Sequence, residues 1–149
     1  MKDFKNLSVV VPFFNESSSI KRIAIDLIDN LPNAQIFFID DGSTDNSLNI
    51  IEVLNNKRLH IVKNEFNFGY GYSIKKGMNL VKPDYLAWFD ADGEHKIEDL
   101  IQMYEIINSK KIAMVIGRRD VSVNLFRKFG KFIIKLFIRF MYNKKIKDY

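Results

Sequence analysis

Tyr85-Leu86-Ala87-Trp88-Phe89-Asp90-Ala91-Asp92-Gly93-Glu94-His95 is an apolar run that breaks into two carboxylates, with a third acid two residues later. A run of that length and hydrophobicity reads as a buried strand from the middle of a sheet, with its acids where it emerges and Trp88 in the core. Carboxylates crowded at a strand's carboxyl end repel one another unless they share a cation. The pattern therefore points to a divalent metal holding a phosphate-bearing substrate. If the strand runs on through the acids, Asp90 and Asp92 face opposite sides and only one ligates directly.

Outward from this stretch, apolar runs of strand length alternate with segments of helical period. Strands are expected at Leu7 to Phe14, Ile36 to Asp40, Leu59 to Val62, Tyr85 to Asp90 and Ile112 to Ile116. Helices are expected at Ser18 to Asn30, Asp45 to Asn55, Gly71 to Val81 and Ile97 to Asn108. The order βαβαβαβαβ is that of an α/β domain with a mostly parallel sheet. Such sheets bind ligands beyond the carboxyl ends of their strands. Pro12-Phe13-Phe14-Asn15-Glu16, Asp40-Asp41-Gly42-Ser43, Asn64 to Gly71, Asp90-Ala91-Asp92 and Gly117-Arg118-Arg119 all fall at that edge. No dinucleotide fingerprint and no phosphate-binding glycine loop ending in Lys-Ser/Thr is present, so bound phosphates need another positive partner.

With 149 residues, 47% of them hydrophobic, the chain can form one domain with a real core. It has no cysteine, so disulfides and thiolate metal sites are excluded, and a reducing, cytoplasmic setting is compatible. No run of eighteen uncharged apolar residues suggests a membrane span. The net charge of +5 is unevenly spread: residues 1–119 hold 15 basic and 16 acidic side chains, residues 120–149 hold 8 and 2. A body without scattered basic residues and stacking aromatics argues against nucleic acid as a partner.

Val9-Val10-Val11-Pro12-Phe13-Phe14-Asn15-Glu16, Ile39-Asp40-Asp41-Gly42-Ser43-Thr44-Asp45, Asn67-Phe68-Gly69-Tyr70-Gly71 and Asp90-Ala91-Asp92-Gly93-Glu94-His95 together resemble the family 2 glycosyltransferases of GT-A, Rossmann-like fold. The chain looks most like their polyprenyl-phosphate branch, which includes the dolichol-phosphate mannosyltransferases. Glu94 stands where that branch usually has glutamine, and Phe14 where tyrosine is usual. The resemblance implies an inverting, metal-dependent transfer of a sugar from a nucleoside-diphosphate sugar to a dolichyl or undecaprenyl phosphate. By the family pattern Asp90, Asp92 and Glu94 hold Mg²⁺ or Mn²⁺. Pro12, Phe14, Glu16, Asp41 and nearby Asp40 line the nucleoside side, and Arg119 and Arg127 meet the acceptor phosphate beside Asp92. A saccharide acceptor at the same donor site, or a non-catalytic nucleotide-sugar-binding or membrane-associated module, is the alternative.

Plainer roles are open to the same residues. Asp90, Asp92 and Glu94 could favour the start of the helix near Ile97 through its dipole, and Asp45 reads as an acid at a helix start. Gly69 and Gly71 suit turns as well as a diphosphate, and His95 reads as a structural or surface histidine.

Residues 1–120 thus form the expected donor-binding domain, and 121–149 a basic amphipathic tail. Arg127, Lys131, Lys135 and Arg139 recur every four residues, away from Phe126, Phe129, Ile133, Phe137 and Phe140. An interfacial helix has that form and would dock the enzyme peripherally on the cytoplasmic face of a membrane. The other occupants of its aromatic face are a second subunit or a continuation of the domain, which in this branch is expected to run past Tyr149. The 149-residue chain is expected to sediment with anionic liposomes and a chain ending at Asp120 to stay in solution. Equal sedimentation of both removes the interfacial helix.

Overall fold

The computed structural model describes residues 3–117. The tail helix and both arginines expected at the acceptor, Arg119 and Arg127, lie outside that range. The described elements alternate as strand and helix: β1 Leu7–Phe13, α1 Ile20–Asn30, β2 Gln35–Asp40, α2 Ser47–Glu52, β3 Leu59–Lys63, α3 Tyr70–Leu80, β4 Tyr85–Trp88 and α4 Ile97–Lys110. The four strands pair in parallel in the order β3-β2-β1-β4. This is a Rossmann-like α/β sheet, as expected. The strand order reverses at β1, so the crevice of such a fold opens between the carboxyl ends of β1 and β4.

The two-residue period of a strand divides β1 between two faces. Leu7, Val9, Val11 and Phe13 join Ile20, Ile23, Ala24 and Leu27 of α1, Ile36 and Phe38 of β2, and Leu100 of α4 in one buried cluster. Each Val, Leu, Ile or Phe among them stabilises the fold by roughly 1.5–3 kcal/mol when fully buried. Val10 and Ile39 point to the other face, where α3 lies against β1 and β2. Gly77 of α3 sets that approach, because a Cβ there would come within 2.4 Å of Val10 Cγ1 and 3.2 Å of Ile39 Cγ1.

Four expectations are corrected. Ile112 to Ile116 forms no strand, and Ile112, Met114 and Ile116 are exposed. An apolar run becomes a strand only when a neighbour takes its backbone hydrogen bonds, and no described residue pairs with the outer edge of β4. The run opening on Tyr85 is therefore an edge strand among the described residues, not a central one. Trp88, expected in the core, is 52% exposed for the same reason: it is the partner of Val10 on the α3 face, and α3 packs on β1 and β2. The fourth correction concerns Asp90 and Asp92. Pairing ends at Trp88 and a turn follows at Ala91-Asp92, so strand alternation does not send the two acids to opposite sides.

Gly77→Ala gains helix propensity yet is expected to lower stability by about 1–3 kcal/mol through overpacking against Val10. Denaturant unfolding of the variant measures this, and adding Val10→Ala should recover part of the loss.

Candidate functional site

Three loops at the carboxyl edge of the sheet are tied together by short polar side chains. Asn15, at φ +57°, follows β1, and its Oδ1 accepts the amides of Thr44 (2.8 Å) and Asp45 (3.2 Å) after β2. Asn and Asp tolerate this left-handed backbone better than other side chains do. Asp45 closes the loop from the other side, accepting Ser17 N at 3.1 Å and both the amide and the hydroxyl of Ser47 at the start of α2. Burial works to raise its pKa, but these bonds from Ser47 and Ser17 outweigh it and hold the carboxyl at about 2. The expected helix-start role of Asp45 fits its bonds to Ser47, with a stitch between loops added.

Asp40 and Asp41 are adjacent, so their side chains leave β2 on opposite faces. Asp40 is fully buried. Its Oδ1 accepts Ser43 N at 2.8 Å, its Oδ2 has no partner, and it does not line the cleft described below. Asp41 falls on the α3 side and is the centre of a buried network. Its Oδ1 accepts Asn64 Nδ2 (2.8 Å), Ser73 Oγ (2.9 Å) and Phe68 N (3.1 Å), and its Oδ2 accepts Gly69 N (2.8 Å). Burial opposes ionisation, but the donors from Asn64, Phe68, Ser73 and Gly69 prevail and hold the carboxyl below its ordinary value. Lys76 Nζ adds a charged donor to Asn64 Oδ1 at 2.6 Å. Gly42, at φ +78°, lets the loop after β3 close over this network, since a Cβ there would lie 2.8 Å from the backbone of Phe66.

The turn after β4 is held from two sides. Ser19, at the start of α1, places its hydroxyl 2.6 Å from the carbonyl of Ala91 and 3.0 Å from Glu16 Oε2. The Tyr70 hydroxyl donates to Asp90 Oδ1. His95 Nε2 lies 3.2 Å from Asp90 Oδ2, while its Nδ1 faces the Asp90 amide at 3.2 Å. His95 is thus structural, as expected, and the structure it maintains is that of Asp90. Burial, the hydrogen bond to Asp90 and the charges of Asp90 and Asp92 all push the Tyr70 phenol well above its ordinary pKa. Asp92 Oδ1 accepts Glu94 N at 2.8 Å. The acids in the first turn of α4 are Glu98 and Asp99, so Asp90 and Asp92 are not that helix's dipole partners.

These loops enclose an open cleft of about 360 Å³, lined by Pro12, Phe13, Phe14, Glu16, Asp41, Asn67, Tyr70, Ser73, Asp90, Ala91 and Asp92. Of the residues singled out in the sequence, Pro12, Phe14, Glu16, Asp41, Asp90 and Asp92 meet there. Asp40 and Glu94 do not line it, and Arg119 and Arg127 lie outside the described residues. Ser73 was missed, and Asn64 and Tyr70, which stand in the stretch Asn64 to Gly71 at the ligand edge, were given no role of their own. Which polar group an aromatic or serine reaches is set by the packing of α3, not by local pattern. Gly69, at φ +91°, precedes α3 as a turn residue, whereas Gly71 is inside the helix.

The described lining carries four carboxylates and no Lys or Arg. Among the described residues no group of three or more His, Cys, Asp or Glu is gathered to hold a metal. Two carboxylates suffice for Mg²⁺ or Mn²⁺ when substrate phosphates and water supply the other hard oxygens, so Asp90 and Asp92 fit such an ion.

A model of the family described as Glycosyl transferase family 2 matches residues 8–148. The undecaprenyl-phosphate 4-deoxy-4-formamido-L-arabinose transferase of Yersinia pestis is 28% identical over 156 aligned positions, covering 97% of this chain and 46% of the relative. The dolichyl-phosphate beta-glucosyltransferase of Saccharomyces cerevisiae is 31% identical over 140, covering 79% and 42%. The chain thus spans about half the length of these curated relatives. Among solved structures, the mannosyltransferase PcManGT of Pyrobaculum calidifontis, in complex with GDP-Man and Mn²⁺, shares the fold with a TM-score of 0.54 at 18% identity, over 58% of this chain and 27% of its own.

Asp41→Asn places an amide against N–H donors and is expected to cost about 1–3 kcal/mol at pH 7. Asp41 and Asp45 titrate below their unfolded value of 3.8. Their contribution is complete above that pH and is lost as pH falls through the folded values. The gap in melting temperature between wild type and Asp45→Asn should accordingly be present at pH 7 and close towards pH 2.

Proposed function

The chain belongs to glycosyl transferase family 2, and we propose that it transfers a sugar, with inversion, from a nucleoside-diphosphate sugar to a polyprenyl phosphate. The observation that carries the donor half is the acidic cleft at the strand-order reversal. A diphosphate cannot enter a lining with four carboxylates and no described cation unless a positive charge comes with it. A divalent ion at Asp90 and Asp92, Mg²⁺ or Mn²⁺, would supply that charge and stabilise the leaving diphosphate. The Mn²⁺ and GDP-Man of the Pyrobaculum enzyme accord with this reading.

The chain's own residues take the remaining tasks. Pro12 and Phe14 offer apolar surface to the nucleoside, with Phe14 limited to stacking because it has no hydroxyl. Glu16 lines the same side, bonded to Ser19. Asp41 acts by keeping the wall formed by residues 64–73 in place, and Asp40 by holding the turn at Ser43. Glu94, expected as a third ligand, does not line the cleft and is left out of the set that would hold the ion.

The polyprenyl phosphate is inferred from the Yersinia and yeast relatives, both named for lipid-phosphate acceptors. A phosphate monoester is already anionic at neutral pH, so its oxygen attacks the anomeric carbon without a general base as the bond to the diphosphate breaks. Arg119 and Arg127 are assigned to that phosphate because a guanidinium fork matches its oxygens. No described helix is long and apolar enough to cross a membrane. Contact with the cytoplasmic face is assigned to residues 121–149, with residues 1–120 as the donor domain.

Calorimetry with UDP- and GDP-sugars plus Mn²⁺, followed by transfer to a polyprenyl phosphate, tests both halves. Asp92→Asn is expected to lower turnover roughly a hundredfold and to weaken Mn²⁺-dependent donor binding. Unchanged values for both would falsify the metal assignment. Donor binding without transfer would instead favour a nucleotide-sugar-binding module.

A further inference from the structure

The geometry points to Tyr70 as a positioning residue that presents Asp90 to a divalent cation, an inference that rests on the metal reading above. Tyr70 is the first residue of α3, and its hydroxyl reaches Asp90 beyond the end of β4. The two residues sit on different walls of the cleft, twenty positions apart in sequence.

Tyr70 is itself placed by Asp41. The preceding amide, Gly69 N, donates to Asp41 Oδ2 at 2.8 Å, and Ser73, one turn further along α3, donates to Asp41 Oδ1 at 2.9 Å. The start of α3 is therefore fixed to the end of β2 on both sides of Tyr70. The chain of contacts runs from buried Asp41 through Gly69 to Tyr70 and on to Asp90. It links the wall assigned to the nucleoside with the carboxylate assigned to the cation.

Both oxygens of Asp90 are engaged by the protein. With Nδ1 of His95 accepting from the Asp90 amide, Nε2 carries the proton and donates to Oδ2. Oδ1 takes the Tyr70 hydroxyl. A carboxylate offers about four lone-pair sites, so each oxygen keeps one for an ion in the cleft. Two fixed donors remove the rotation that a free carboxylate loses on binding an ion, which is how an outer partner raises a ligand's affinity. Asp92 is exposed and, among the described residues, its Oδ1 accepts a local bond from Glu94 N, so the ordering that comes from across the cleft rests on Asp90.

Mn²⁺ binding to the 149-residue chain, followed by the electron paramagnetic resonance of the free ion, tests this without any turnover. Tyr70→Phe keeps the ring and removes the donor. It is expected to weaken Mn²⁺ binding about tenfold while the melting temperature stays within a few degrees of wild type. In an Asp90→Asn background the same change should have no further effect on Mn²⁺. Equal Mn²⁺ affinity of Tyr70→Phe and wild type, with Asp90→Asn impaired, overturns the inference and leaves the metal reading standing. A loss that persists in the Asp90→Asn background overturns it too, because the hydroxyl then acts elsewhere. Absence of Mn²⁺ binding by the unaltered chain, or full binding by Asp90→Asn, removes the inference together with the metal reading beneath it.

Discussion

The Asp41 carboxylate is the interaction on which the cleft depends. It is buried at the end of β2 and accepts four hydrogen bonds, from Asn64, Phe68, Gly69 and Ser73. A buried charge is tolerated only when its hydrogen bonds are satisfied, and the converse also holds. Asn64 Nδ2 also donates to Ser73 Oγ and Gly69 N also to Asn67 Oδ1, so the donors are tied to one another as well as to Asp41. The loop after β3 and the start of α3 are therefore committed to one position relative to β2. Gly77 fixes the other end of α3 by allowing it to lie directly on Val10, so the helix is held at both ends.

The electrostatic character of the cleft follows from that frame. Parallel strands deliver their carboxyl ends to one edge, and at this edge the chain places Glu16, Asp41, Asp90 and Asp92 without a described Lys or Arg. Asp41 stays ionised, and internal hydrogen-bond donors satisfy it without an ion. Asp90 and Asp92 sit where β1 and β4 diverge, and hold the open lone pairs. The division of labour is thus between a carboxylate that builds the wall and a pair that faces the substrate. Membership of glycosyl transferase family 2 gives this arrangement a chemical purpose, since the leaving group of a sugar nucleotide is an anion that an acidic lining alone would repel.

Much of this was legible along the chain, and the exceptions share a cause. Strands β1, β2 and β3 and helices α1, α3 and α4 match their expected positions to within a residue or two, because their apolar periods are strong and Asn, Gly or Pro marks their ends. Helix α2 is shorter than expected, Ser47–Glu52, since Asp45 bonds back to Ser17 and Ser47 before the helix begins. Ile112 to Ile116 and Trp88 carry local patterns of strand and core, but each needs a neighbour that the described residues do not supply. The clustering of Pro12, Phe14, Glu16, Asp41, Asp90 and Asp92 was readable from the order of motifs, whereas the contributions of Tyr70, Asn64 and Ser73 were not.

The sequence by itself determined the alternation of elements, the acids at the strand exits, the uneven charge between body and tail, and the resemblance that the family match bears out. These are properties of order and period, which short-range sterics and hydrophobic pattern encode directly. Only the tertiary structure decided that β4 is an edge among the described strands, that Asp40 is buried while Asp41 gathers four donors, and that Asp90 and Asp92 open onto one cleft. It also decided that Asp90 is held by Tyr70 and His95. Those outcomes depend on which face of β2 meets α3 and where α3 ends its approach. Packing between elements distant in sequence sets that geometry, and no local pattern contains it.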